Sequence, residues 1–296
     1  MSVRHAVVAG GSGFIGRALV HDLRALGWSV TTLVRRSPTS ETEVQWNPTT
    51  GDLDPAVLSG ADAVINLAGS SISRMPWTTA IRADIVESRR AATTTIVDAV
   101  NQAGTPPKVL INASAVGFYG DRGDEALTEK SPRGTGFLAD VTVDWEKWTS
   151  SSTVRTVLVR TGLVLGRGGA LTPLLLSTML FAGGRVGTGT QWWPWVSLRD
   201  EVRAIIHLID SRVSGPVNLV GPEPATSLTI TTTLARIVRR PHLIGIPSLA
   251  LKLLGDAGQE LLQSSQRIEP TALVNDGFVF EHATAEAALR WAISSR

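Results

Sequence analysis

The stretch Ala6-Val7-Val8-Ala9-Gly10-Gly11-Ser12-Gly13-Phe14-Ile15-Gly16-Arg17-Ala18-Leu19 decides the fold. A short apolar run passes directly into glycines at 10, 13 and 16, and an amphipathic pattern opens at Phe14. That order predicts a buried strand, a tight turn and a helix N-terminus. Glycine lets the backbone turn sharply and approach a ligand, and the free N–H groups of a helix start stabilise negative charge. The turn is therefore expected to cradle a pyrophosphate, with Gly10, Gly13, Phe14, Ile15 and Gly16 against a dinucleotide.

The next apolar run, Val30 to Val34, ends in Arg35-Arg36. An NAD-selective site usually carries an acidic residue there to hold the ribose 2′-hydroxyl. Two guanidinium groups instead suit a 2′-phosphate, which arginine grips with paired charge-assisted hydrogen bonds. NADPH is thus the expected cofactor; a solvated arginine pair at a strand end is the simpler alternative.

Further apolar runs at 63–67, 109–111 and 156–159 alternate with helical patterns at 14–26, 78–101 and 135–150. Such alternation predicts an α/β fold, a Rossmann-type doubly wound parallel sheet, with a smaller interleaved C-terminal substrate lobe. The expected division is 1–168 for the nucleotide-binding domain and 169–296 for the smaller lobe, with 200–220 returning to the main sheet.

A chain of 296 residues with 43% hydrophobic content can bury a conventional core. Its 28 basic and 26 acidic residues leave a formal charge of +2 without a basic stripe, so neither nucleic acid nor membrane is expected as a partner. A small molecule is the default. Cysteine is absent and the five histidines lack ligand-like spacing, so no metal is expected. The opening residues read as a strand and no apolar run is long enough to span a bilayer, from which a cytoplasmic location is expected.

With the glycine turn in place, Asn66-Leu67-Ala68-Gly69 resembles the Asn-Ala-Gly motif of the short-chain dehydrogenase/reductase superfamily. Residues 114–120 (SAVGFYG), 160–166 (RTGLVLG) and 195–200 (WVSLRD) look like landmarks of its extended branch. The tail at 263–280, with Ser265-Gln266-Arg267-Ile268-Glu269-Pro270 and Gly277-Phe278, is similar to the C-terminal domain of an epimerase-like subgroup sometimes labelled cell-division-inhibitor-like. The resemblance implies that Leu67, Ala68 and Gly69 line the dinucleotide and that Val164 packs near the nicotinamide. It also makes Asp84 and Arg89 cofactor candidates, with a helix-surface salt bridge as the plain alternative.

The superfamily's Tyr-x-x-x-Lys pair, in which an ammonium stabilises phenolate, has no counterpart. The resemblance places Phe137 and Val141 at those positions, and neither transfers a proton. Ser114 and Tyr119, the chain's only tyrosine, become the catalytic candidates, although Ser114 stands one residue further from the tyrosine than in the superfamily's usual arrangement. Asp140, Asp144 and Lys147 share a helical face that reads more simply as a solvated ion-pair surface. Trp192, Trp193 and Trp195 either wall a ligand pocket or pack the seam between lobes, and 121–134 is a plausible lid. Two functions fit: an NADP(H)-dependent epimerase-like oxidoreductase, or a catalytically degenerate NADPH-binding regulatory or interaction protein.

Overall fold

The computed structural model describes residues 3–243, 245 and 255–294. Seven parallel strands form the main sheet in the order β11-β7-β5-β4-β1-β2-β3. These are β1 (His5–Ala9), β2 (Ser29–Val34), β3 (Glu43–Gln45), β4 (Ala63–Asn66), β5 (Leu110–Ala115), β7 (Thr156–Thr161) and β11 (Gly215–Leu219). The short β6 (Ala126–Leu127) lies outside this sheet. From β1 the chain builds outward through β2 and β3, then returns to β1's other edge with β4. The reversal opens a crevice at the carboxyl ends of β1 and β4, where ligands of doubly wound sheets bind.

Alternation along β1 shows why both sheet faces need helices. Ala6 and Val8 enter one core with Leu19 and Leu23 of α1 (Phe14–Ala25) and with Val202, Ile205 and Leu208 of α5 (Leu198–Asp210). Val7 and Ala9 enter the opposite core with Ile96, Val97 and Val100 of α2 (Thr79–Gln102). A sheet buried on both faces explains the uninterrupted apolar runs.

Beyond β8 (Leu163–Leu165) the chain builds a third core from α4 (Leu171–Met179), β9 (Trp192–Trp193), β10 (Trp195–Ser197) and α6 (Ser227–Ile237), with α9 (Ala285–Ser294) against them. The chain weaves back repeatedly. β12 (Ala225–Thr226) pairs with β9, and β13 (Arg267–Ile268) pairs with β6. The short helix α7 (Gly255–Gly258) runs into a π-helical turn, Gln259–Gln263, that reaches the main body. There Glu260 accepts hydrogen bonds from the Phe137 and Leu138 N–H groups, 2.9 and 2.8 Å, at the start of α3 (Phe137–Lys147). A carboxylate is the natural cap for free N–H groups at a helix start. α8 (Thr271–Asn275) packs near β11.

Candidate functional site

The turn between β1 and α1 has the close approach that its glycines permit. Gly10 has φ +81°, and a Cβ there would stand 2.7 Å from the Leu67 carbonyl carbon, so the crossing of β1 and the loop after β4 has no room for a side chain. A Cβ on Gly16 would lie 2.1 Å from the Gly10 oxygen, which fixes how tightly α1 sits on the turn. The Gly13 N–H donates to the Gly10 oxygen at 2.9 Å, and Gly13 caps α1 without a side-chain hydrogen bond.

A cleft of about 1170 Å³ opens over this turn. Its lining includes Gly10, Gly13, Arg35, Arg36, Leu67, Ala68, Gly69 and Asp84. The other residues expected at the cofactor lie elsewhere. Phe14 packs beneath the glycines of 166–169, Ile15 joins the α1/α5 core, and Gly16 is buried under the turn. Val164 is buried on β8, which pairs with β10. None of these four is among the cleft-lining residues, and neither is Arg89.

At the far end of β2 the two arginines differ. Arg36 is tied to Glu43 by two hydrogen bonds, 2.9 and 2.6 Å, and this partner, with Thr39, holds the Glu43 carboxyl down at about 2. Arg35 is exposed, lines the cleft, and makes no hydrogen bond or ion pair among the described residues. Arg17, one turn into α1, also faces the cleft without such a partner. Sequence reasoning passed over Arg17, although its place just after the last glycine of the turn was the available signal.

Below the loop, Arg89 is drawn inward. Its Nη1 donates to the carbonyls of Ser70 and Ile85 at 3.1 and 2.9 Å, and its guanidinium lies 4.7 Å from the centre of the Trp145 ring. Burial pulls its pKa down to about 10, with distant Asp84 acting the other way. Arg89 makes no ion pair among the described residues, while Asp84 pairs with Arg74 at 2.5 Å. Ser88 accepts from the Ser70 N–H at 3.0 Å, so the Ser-Arg pair braces the cleft-lining loop from beneath.

Ser114 and Tyr119 belong to one buried chain of hydrogen bonds. Ser114 Oγ donates to Glu146 Oε1 at 2.7 Å, and Glu146 receives a bidentate pair from Arg160, 2.7 and 2.8 Å. Arg160 Nη1 donates to the Tyr119 hydroxyl at 2.9 Å, which donates to Asn218 Oδ1 at 2.7 Å. Tyr119 is fully buried and is not among the cleft-lining residues, and burial raises its pKa. The displaced-acid role expected for it is therefore corrected: its hydroxyl is enclosed and spent on protein partners. Sequence reasoning missed Glu146 and Asn218. A lone arginine inside the apolar strand 156–161 was the signal, because a buried guanidinium needs a carboxylate.

Phe137 packs edge-on to Trp77 at 5.3 Å and Val141 is buried, so neither position of the expected dyad offers a proton. Asp140 and Asp144 are exposed, and Asp140 pairs with Arg133, as the solvated-face alternative holds. Trp193 and Trp195 are buried and donate to the Leu262 and Glu223 carbonyls at 3.3 and 2.9 Å. Trp192 donates to Asp124 at 2.7 Å, and the void among these rings measures about 10 Å³. They pack the seam. The loop at 121–134 is strapped by Ser265, which bonds to Gly123 and Asp121 and accepts from the Arg122 N–H.

Residues 6–221 match the NAD dependent epimerase/dehydratase family, and 246–292 match a domain of unknown function, DUF1731. An epimerase family protein of Mycobacterium bovis is 43% identical over 291 residues, covering 96% of each chain. One from Bacillus subtilis is 34% identical, covering 98% of each. Among solved structures, the human epimerase family protein SDR39U1 with NADPH superposes with a TM-score of 0.90 at 29% identity, covering 99% of this chain and 100% of that one. A nucleoside-diphosphate sugar epimerase of Corynebacterium glutamicum gives 0.80 at 33%, covering 99% of this chain and 58% of its own. A parallel sheet that reverses beside a glycine turn, and a family match over most of the chain, lead to one statement: the chain belongs to the NAD dependent epimerase/dehydratase family, in its extended short-chain dehydrogenase/reductase branch with a DUF1731 C-terminal domain.

Proposed function

We propose that the protein is an NADPH-dependent, epimerase-like oxidoreductase acting on a small molecule. The observation that carries this reading is the partnerless Arg35 at the cleft end of β2, where an NAD-selective site would have an acid. The cleft fits the dinucleotide in two further ways. Gly10 and Gly16 leave a turn that any Cβ would close, and Arg17, one turn into α1, faces the cleft with no side-chain partner among the described residues. The human relative, solved with NADPH, points the same way.

The bound cofactor would supply a hydride as NADPH or accept one as NADP+. Gly10, Gly13 and the loop 67–69 would hold it, with Arg35 and Arg36 at the ribose phosphate. Ser114, the polar side chain proposed to meet the substrate, is like Tyr119 buried and outside the cleft lining, so a substrate must first open a way to it. Its single hydroxyl proton is committed to Glu146, so as it stands the oxygen accepts from a substrate hydroxyl. To donate to a substrate carbonyl it must first release Glu146. Tyr119, through Arg160 and Glu146, serves as a positioning residue.

The decisive experiment is NADPH consumption with a panel of aldehydes and ketones, and NADP+ reduction or epimer formation with nucleotide sugars, by wild type and Gly13→Asp. A carboxylate at this cap suits the helix but repels a pyrophosphate. Turnover by wild type that Gly13→Asp abolishes supports the enzyme. The apolar Phe137 and Val141 favour a second reading, a cofactor-binding regulator, which is supported instead if NADPH binds and no substrate in the panel is turned over.

A further inference from the structure

The overall charge balance hides a local imbalance. No Asp or Glu occurs between Glu146 and Asp200, or between Glu223 and Asp256. These two stretches supply α4 and α6, which pack together. The outward side of α4 carries no charge, and it ends in Leu180, 69% exposed, and Phe181, 53% exposed. The guanidinium of Arg240, just past α6, stacks 4.7 Å over the Phe181 ring. Leu243, 79% exposed, follows three residues on.

Two backbone features mark the same place. Phe181 (φ 62°) and Arg239 (φ 54°) are the non-glycine residues in left-handed conformation among the described residues. Both are the left-handed residues that cap α4 and α6, closed by the Ala182 N–H on the Ser177 oxygen and the Arg240 N–H on the Ala235 oxygen, both 2.9 Å, so the caps fix the two helix ends that carry Phe181 and Arg239. The cations are available as well: Arg239 and Arg185 make no ion pair among the described residues. Glu286, which reaches this end of α6, is already held between Arg236 and Arg290.

We propose that this face docks on an anionic lipid surface, with Leu180 and Phe181 entering the headgroup boundary and Arg239 and Arg240 meeting lipid phosphates. Protruding apolar tips ringed by unpaired cations match the interfacial mode of membrane binding. A second copy of this chain fits poorly, because a self-complementary interface would set arginine against arginine with no acid to answer it. No described helix is long and apolar enough to cross a bilayer, so the contact is peripheral.

The test is flotation of the full chain with vesicles of phosphatidylcholine alone or mixed equally with phosphatidylglycerol. Wild type should associate about tenfold more strongly with the anionic vesicles, less so as salt rises. Leu180→Asp/Phe181→Asp should lose the association, and Arg239→Glu should weaken it, both with unchanged NADPH binding and melting temperature. The proposal is overturned if wild type ignores anionic vesicles or if the variants float as wild type does. It is equally overturned if vesicles fail to capture the protein while sedimentation shows a dimer that the same substitutions dissolve.

Discussion

At the scale of single residues, two buried ionisable groups set measurable limits on stability. Arg160 is 3% exposed, and its charge is satisfied by Glu146 on one side and the Tyr119 hydroxyl on the other. Tyr119→Phe removes that hydroxyl and leaves Arg160 Nη1 and Asn218 Oδ1 without it, which should cost about 1–3 kcal/mol in a denaturant titration. If Tyr119 acted as the acid, the same variant would abolish turnover while leaving stability nearly intact. Glu201 is the second group. It is fully buried, its Oε1 accepts from Thr161 at 2.7 Å, and its Oε2 has no partner. Burial pushes its pKa up to about 8, whereas the unfolded chain releases the proton near the ordinary carboxylate value. Between those values the folded state holds one more proton than the unfolded state, so stability falls as pH rises, by up to about 1.4 kcal/mol per unit. Glu201→Gln imitates the neutral acid and should flatten the melting temperature between pH 5 and 8; an unchanged slope would place the titration elsewhere.

Elements show what could be read from sequence and what could not. The strand at 5–9 and the helix at 14–25 were legible because periodicity and turn chemistry agree there. Strand β5 runs to Ala115, past its apolar core, because Asn112 and Ser114 are buried with partners that only the folded chain brings near. Glu146 was hidden for the same reason: on a helix with Asp140, Asp144 and Lys147 it reads as one more surface charge. Glu201 was more accessible, since 201, 204, 205 and 208 trace the apolar face of α5. The cap on α3 illustrates the long-range remainder, with Glu260 over a hundred residues from the N–H groups it satisfies. Glu260→Ala should destabilise the protein by about 1–2 kcal/mol, and Glu260→Gln by less. Calorimetric melting measures both, and an unchanged Glu260→Ala melt would mean that this contact does not hold the C-terminal segment to α3.

For the whole molecule, the sheet's reversal beside β1 and the glycine turn open one cleft, lined by residues between 10 and 92, while the C-terminal segment is tied to the 121–134 loop through Arg122 and Ser265. The fold was legible because it rests on local pattern repeated along the chain. The buried hydrogen-bond network was not, because its members come from β5 and the turn after it, α3, β7 and β11, and acquire meaning only when the sheet assembles them. The central claim is that this cleft selects NADPH through the arginines at the end of β2. Calorimetric titration of wild type and Arg35→Ala/Arg36→Ala with NADPH and NADH tests it most directly. The account predicts tighter binding of NADPH by wild type and loss of that preference, by about 1–3 kcal/mol, in the double variant with NADH binding retained. Equal affinities in wild type, or a preference that survives both substitutions, would contradict it.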